Sequence, residues 1–190
     1  ASCLALLLTM RALQSLLSLP ARAHEWRIQR RERAVQAALR EALAEYFGAR
    51  YGRAHKAAVR TVAILDGTPE LAARDGRDVR ETRTLAHLLA GASLHRLQDR
   101  TQRERQLEQL RALRRAARGP AGAADEGTQL LAAEWALDDR DAERALALLG
   151  ELPPGAARRT QALRLKLQAQ RLAGDATEAL HTARLLAKHQ

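Results

Sequence analysis

The chain has 190 residues, which is room for one medium-sized domain or for four or five helical repeats of about 34 residues. Aromatic residues make up only 3% of it, while Ala, Leu, Arg, Gln and Glu dominate, so a helical fold is favoured over a mixed or all-β one. The formal charge of +10 suits phosphates, anionic lipids or acidic proteins, although a solvated basic surface needs no dedicated partner. Its single cysteine, Cys3, excludes a disulfide framework.

The first 19 residues, ASCLALLLTMRALQSLLSL, are mostly apolar. The run before Arg11 is about half of the roughly 20 residues that cross a bilayer, and a signal peptide's basic start and cleavage site are missing. We interpret residues 1–19 as the end of a truncated membrane helix. The alternative is an amphipathic helix that caps the rest of the fold, with Leu6, Met10, Leu13 and Leu17 on one face. If the segment is the end of a membrane helix, it exposes Leu4, Leu7, Leu8, Leu16 and Leu17 to water, and this apolar stripe is expected to cause self-association through residues 1–19.

Residues 21–33, ARAHEWRIQRRER, hold five arginines against two glutamates, with Trp26 among them. After an apolar segment, this composition is typical of a membrane interface, and the positive-inside rule places it on the cytoplasmic side. Nucleic-acid binding is the rival interpretation, but a recognition motif and a run of stacking aromatics are missing. We therefore predict a membrane-helix end with a basic juxtamembrane segment at 1–33 and a repeat domain facing the cytoplasm at 34–190.

Two stretches near the C-terminus resemble each other: LDDRDAERALALL at 137–149 and LAGDATEALHTARL at 172–185. Each places an aspartate after a helix end, Asp141 or Asp175, and an Ala-Leu pair four residues later. The offset between the two aspartates is 34 residues. A period of about 34 residues with two short helices per unit is the signature of tetratricopeptide repeats. The sequence thus predicts an all-α fold, a tetratricopeptide-like array of helix pairs that forms a right-handed α-solenoid.

Apolar residues spaced by three and four predict four helix pairs. They start near residue 33 with a break at Gly48, and continue at 82–98 with 99–118, 128–138 with 141–149, and 157–173 with 177–189. The glycines and proline of residues 66–80 predict a loop with at most one turn, and GPAGAADEG at 119–127 predicts a linker. Ala145 and Ala179 are expected to be buried where paired helices approach closely.

The sequence offers no catalytic constellation. Glu178 and His181 have the Glu-x-x-His spacing of a di-iron site, but the second copy and the further glutamates are missing. His87 and His95 are eight residues apart on one predicted helix, too far to chelate one ion. We therefore predict that the chain is not an enzyme and holds no metal.

In a repeat array of this type, the first helix of each pair lines a concave binding groove. Aligning the pairs on Ala49, Gln98, Arg140 and Gly174 assigns residues to this groove. They are Gln36, Arg40, Tyr46, His95, Arg96, Glu134, Gln161, Arg164, Gln168 and Arg171. Arg164 and Arg171 stand two turns apart on one face, which suits a carboxylate-bearing ligand or an acidic peptide. The alternative is that these side chains are merely solvated.

Three segments in order carry a resemblance to a known family: His24-Glu25-Trp26-Arg27 through Arg33, LLAAEWALDDRDAERALALLGELPP at 130–154, and QALRLKLQAQRLAGD at 161–175. The chain resembles the N-terminal part of HemY, the tetratricopeptide-containing inner-membrane protein of proteobacterial haem biosynthesis. This family is distinct from the flavin-dependent protoporphyrinogen oxidase of the same name. The resemblance implies two N-terminal membrane helices, the second partly present here, and a cytoplasmic repeat domain that continues beyond Gln190.

Two functions follow from the groove and the resemblance. The first is a membrane-anchored scaffold whose groove holds partner proteins, which the resemblance implies are enzymes of late haem synthesis. The second is a tetrapyrrole carrier that binds the propionates of haem or porphyrin on groove arginines. No resident cofactor and no nucleic acid is expected in either case.

Overall fold

The computed structural model describes the backbone of residues 2–117 and 123–188, and the side chains of residues 22–117 and 125–188. Within these ranges every regular element is a helix, which confirms the all-α class. The helices are α1 (Ser2–Phe47), α2 (Tyr51–Asp66), α3 (Pro69–Arg74), α4 (Gly76–Arg96), α5 (Arg100–Ala116), α6 (Ala123–Asp138), α7 (Ala142–Gly150), α8 (Pro154–Ala157), α9 (Thr160–Ala173) and α10 (Ala176–Ala187). In the described part of the chain, no helix has both the length and the apolar character needed to cross a membrane.

Helix α1 runs without a break past residue 33, so the first helix begins well before the predicted start. Strong helix formers lie on both sides of that position, and no glycine occurs before Gly48 to end the helix. The predicted division at residue 33 therefore does not coincide with a helix boundary, and the division itself stays a prediction. The side chains of the apolar stripe at 1–19 lie outside the described residues, so self-association through them also stays a prediction.

The predicted loop at 66–80 is wrong, because it contains helix α3 and the start of α4. Pro69 begins α3, where its missing N–H costs nothing and its fixed φ suits the first turn. The Asp75 carboxylate then accepts hydrogen bonds from the backbone N–H groups of Arg77, at 3.0 Å, and Asp78, at 2.9 Å. This cap starts α4 at Gly76 rather than at residue 82. The predicted linker at 119–127 is likewise shortened, because α6 begins at Ala123 and 118–122 lie outside the described residues.

The chain divides into two compact units, residues 1–86 and 87–190. In the first unit, α1 packs along α2, and α3 contacts both. Its apolar core comprises Ile28, Val35, Leu65 and Leu71, with Ile64 and Val79 packed against them. In the second unit, α6 packs on α7, α7 on α9 and α9 on α10, and α6 also contacts α9.

Four turns that connect paired helices share one geometry. Ala49, Gln98, Arg140 and Gly174 all have left-handed backbones, with φ of 57°, 60°, 61° and 78°. At each turn, the N–H of this residue bonds to the carbonyl three residues back, and the next N–H reaches the carbonyl five residues before it. The N···O distances are 2.8–3.2 Å. This is the Schellman motif, which satisfies the last carbonyls of a helix, and it recurs at the four residues on which the pairs were aligned.

The residue after the turn starts the next helix. Asp99, Asp141 and Asp175 each accept a hydrogen bond from the backbone N–H three residues later, at 3.0–3.1 Å. Such a cap contributes about 1 kcal/mol to helix stability. Four residues after the cap, a small side chain is buried in three of the four pairs: Ala54, Ala145 and Ala179. The burial predicted for Ala145 and Ala179 is confirmed.

The alanine at this position gives a direct test of helix approach. Ala179 is 8% exposed on α10, which packs on α9, so Ala179→Trp should destabilise the protein by about 1–3 kcal/mol through overpacking. The matched control is Leu180→Trp, because Leu180 is 55% exposed. Urea unfolding followed by circular dichroism measures both changes. Equal midpoints for the two variants would mean that α9 and α10 do not approach closely.

Candidate functional site

The ten predicted groove residues lie in different places of the two units. In the first unit, Gln36 and Arg40 line an open cleft of about 590 Å3 together with Arg33 and Arg74. Tyr46 is half-buried and packs edge-to-face on Tyr51, with ring centroids 5.6 Å apart. These three residues thus lie at two distinct features of the unit rather than at one site.

In the second unit, the structure brings Arg164, Gln168 and Arg171 to one open cleft of about 720 Å3. Arg96, Glu134 and Gln161 are exposed and do not line it. We term it the α6–α9 cleft, because its walls are the C-terminal end of α6, the following turn, and one face of α9. Its lining residues are Leu137, Asp138, Arg140, Arg164, Leu167, Gln168, Arg171 and Leu172.

Three guanidinium groups of the α6–α9 cleft have no internal partner. Arg140, Arg164 and Arg171 make neither an ion pair nor a hydrogen bond through their side chains within the described part of the chain. The dipoles of α9 and α6 favour Arg171, in a last helical turn, and Arg140, just beyond a helix end. Arg164 lies in the second turn of α9, where neither end of the helix dipole favours a cation. Helix stabilisation therefore does not account for the whole cluster.

The rest of the cleft lining is apolar or neutral, apart from one acidic residue. Asp138 is that residue, and its Oδ2 lies 3.0 Å from Nε2 of His95. Leu167 and Leu172 supply an accessible apolar surface beside the arginines, whereas Leu137 is only 5% exposed. The arrangement can bind a partner that offers carboxylates together with an apolar side chain.

His95 belongs to a polar cluster around Arg103 on α5. The Arg103 side chain is only 4% exposed. Its NH2 donates to Asp139 Oδ2 at 2.5 Å and to Glu104 Oε1 at 3.1 Å. Its guanidinium carbon lies 5.8 Å from the ring centroid of Trp135. Arg103 therefore joins charges from α5 and from the end of α6 inside the second unit.

The proton on His95 can be assigned from its neighbours. Nδ1 of His95 lies 2.8 Å from Arg103 NH1, which can only donate, so Nδ1 is the acceptor. The proton of the neutral imidazole then sits on Nε2 and is donated to Asp138. The imidazole also stacks on Trp135, with ring centroids 5.3 Å apart and 18° between the planes. His95 is thus a structural link from the Arg103 cluster to the edge of the α6–α9 cleft.

Two carboxylates of the cluster have lowered pKa values. Burial raises the pKa of Glu104, but hydrogen bonds from Arg144 and Arg103 outweigh it, so this pKa lies below its ordinary value. Burial likewise raises the pKa of Asp139, and the hydrogen bond and charge of Arg103 overcome it, again leaving the pKa lowered. Both groups are therefore held ionised by their arginine partners.

Sequence reasoning missed Arg103 and Arg140. Arg103 lies four residues after its helix cap, where the other pairs carry Ala54, Ala145 and Ala179. That register could have identified it as buried. Arg140 was used only to align the pairs, and no sequence signal places its side chain at the cleft, because this depends on how α6 and α9 pack.

One comparison with known proteins gives a match. Residues 1–75 match the family model described as HemY protein N-terminus, which confirms the family resemblance for that part of the chain. No curated protein and no solved structure matches the chain.

Proposed function

We propose, since residues 1–75 match the model of the HemY protein N-terminus, that this chain is part of a membrane-anchored helical-repeat scaffold for enzymes of late haem biosynthesis. The family implies an association with haem biosynthesis. The scaffold role, the partner enzymes and the cytoplasmic orientation at the inner membrane belong to the proposal.

The basic segment supports an anchor at a membrane surface. Trp26 is 59% exposed, and the Arg30 guanidinium lies over its ring at 5.4 Å. An exposed tryptophan among arginines suits the head-group region, where an aromatic ring and cations both find partners. This segment would hold the helical units close to the membrane.

The recurring turns support a tetratricopeptide-like array for the helix pairs. The same left-handed residue and the same pair of helix-ending hydrogen bonds occur four times, and an aspartate cap follows three of them. Repeated units of this kind stack on their neighbours and expose an extended binding face. The first helices of the last two pairs, α6 and α9, are neighbours and form the walls of the α6–α9 cleft.

The α6–α9 cleft with its three unpaired arginines is the observation that carries the scaffold proposal. A small planar ligand such as a porphyrin is normally enclosed over most of its surface. This cleft is open instead, so an elongated protein segment suits it better than a macrocycle does. The tetrapyrrole carrier is kept as an outcome of the test.

A photo-crosslinking amino acid at Gln168, within the cleft, tests the proposal in the full-length protein in its native membrane. We expect this crosslinker to capture an enzyme of late haem synthesis, identified by mass spectrometry. The capture should disappear in the Arg164→Ala/Arg171→Ala variant. The same amino acid at Lys166, exposed on α9 outside the cleft lining, is the control and should capture much less.

Equal capture from both positions, or none from Gln168, would contradict the scaffold. A saturable Soret shift of the purified protein with protoporphyrin, abolished by the same double variant, would favour the tetrapyrrole carrier instead.

A further inference from the structure

We propose that the α6–α9 cleft binds an amphipathic helix of the partner, with acidic residues at positions i and i+7 flanking a leucine at i+3 or i+4. This inference rests on the proposed scaffold function and adds the chemistry of the partner segment. It follows from the order of the side chains along α9, from the charges of the cleft, and from the binding modes that its lining allows.

The α9 side chains that line the cleft alternate between charged and uncharged along one face of the helix. Arg164 and Arg171 are seven residues apart, and Leu167 and Gln168 lie between them at helical spacing, so all four share one face. A rise of 1.5 Å per residue puts the two arginines about 10.5 Å apart along the axis. Over two turns, this face therefore presents a cation, then an apolar and a neutral side chain, and then a second cation.

A helix lying alongside α9 repeats with the same rise and the same period. Acidic residues at i and i+7 would meet Arg164 and Arg171, because they too are about 10.5 Å apart along the axis. A leucine at i+3 or i+4 of that helix would reach Leu167. Leu172, which is 37% exposed, extends the apolar contact. Helix-in-groove recognition uses this set of i, i+3, i+4 and i+7 anchors.

The other common modes of peptide recognition do not suit the cleft. Addition of a strand needs an open sheet edge, and the described part of the chain is helical throughout its regular elements. Polyproline segments dock between aromatic side chains, and the cleft lining has none. A bare phosphate would satisfy the arginines but leave the accessible parts of Leu167 and Leu172 in water.

The charge of the cleft selects an acidic helix. Arg140, Arg164 and Arg171 face Asp138 as the only acidic residue of the lining, and His95 already engages that carboxylate. Arginine forms bidentate, charge-assisted bonds with carboxylates, and the three groups have no competing partner in the described residues. Arg140 would bind a third acidic residue at either end of the partner helix.

Two fluorescein-labelled peptides of about 16 residues, long enough for measurable helicity, test the inference by anisotropy with the whole chain at about 0.15 M salt. The first has an alanine- and glutamine-rich background with Glu at i and i+7 and Leu at i+3 and i+4. The second has the same composition, with both glutamates moved by two positions to another face of the helix. We expect the first peptide to bind at least about tenfold more tightly, since one lost Arg–carboxylate pair amounts to roughly that factor.

Variants of the protein locate the binding. Arg164→Ala/Arg171→Ala should weaken the first peptide by about tenfold or more, whereas Arg158→Ala/Arg184→Ala should not. The second pair removes the same charge from exposed positions outside the cleft. Arg164→Glu/Arg171→Glu should no longer bind the acidic peptide and should bind a version of it with Lys at i and i+7. All four residues that are replaced are exposed, and circular dichroism should confirm unchanged helix content.

Equal binding of the two peptides, or equal loss in the two double variants, would overturn the inference, because it would indicate attraction by net charge. Displacement of the peptide by millimolar inorganic phosphate would also overturn it and assign the arginines to an anion site. If crosslinking at Gln168 captures a haem enzyme while the peptides fail, the scaffold stands without the helix mode. If neither experiment gives binding, both proposals fail.

Discussion

Replacing Trp135 by alanine should lower the free energy of unfolding by about 3–5 kcal/mol, the range for deleting a buried tryptophan. Trp135 is 4% exposed, and a Cβ built on Gly91 would lie only 3.2 Å from its ring. The indole therefore fills the space that this glycine leaves between α4 and α6. Its removal would open a cavity there and would also take away the stacking surface of His95.

The chain contains a matched control for this change in its other tryptophan. Trp26 is 59% exposed, so Trp26→Ala should alter stability by less than about 0.5 kcal/mol. Urea unfolding followed by circular dichroism compares the two variants with the parent. A similar loss for both, or no loss for Trp135→Ala, would mean that the packing around Gly91 is not as described.

Arg103→Ala should destabilise the protein by about 3 kcal/mol, at the lower end of the range for breaking a buried ion pair. The change leaves Asp139 without its closest cation, removes the donor to His95 Nδ1 and opens a cavity beside Trp135. The lower end applies because Glu104 keeps Arg144 as a partner and both carboxylates are partly exposed to water. Arg111→Ala is the control, because Arg111 is exposed and its pair with Glu108 is long, at 3.8 Å; its cost should be below about 1 kcal/mol.

The cost of Arg103→Ala should also depend on pH. Glu104 and Asp139 have folded-state pKa values below their ordinary 4.5 and 3.8. Their contribution to stability is complete above those ordinary values and is lost as the pH falls through the lower, folded-state values. Acid should therefore destabilise the parent more than the variant, and the difference in unfolding free energy should shrink below about pH 4. A difference that stayed constant from pH 7 to pH 3 would assign the cost to packing alone.

The paired helices could be predicted because their signals are local. Asp141 and Asp175 mark both the end of one helix and the start of the next. The spacing of apolar residues by three and four then predicts the helices themselves. The loop predicted at 66–80 is wrong because Gly67, Pro69 and Gly76 were interpreted as helix breaks. In the structure, Pro69 and the Asp75 cap start helices there. The helix start predicted near residue 33 is wrong for the opposite reason, since no glycine or proline lies between Pro20 and Gly48 and α1 continues through this stretch.

The candidate site was predictable only in part. The spacing of Arg164 and Arg171 places them on one helical face, and the structure puts both in one cleft. Arg103 was missed because α5 is rich in arginine and its composition is typical of a solvated helix; only its register, four residues after the Asp99 cap, indicates burial. Its burial depends on His95, Trp135 and Asp139, which come from other parts of the chain.

The aspartates that follow three of the turns couple the stability of successive helices. The backbone N–H of Asp99, Asp141 or Asp175 closes the helix before it, while the carboxylate of the same residue holds the first turn of the helix after it. Fraying at the end of the first helix moves this residue and so releases the start of the second. Two helices that share a residue in this way open together, so the smallest cooperative unit of local unfolding is the helix pair rather than the single helix.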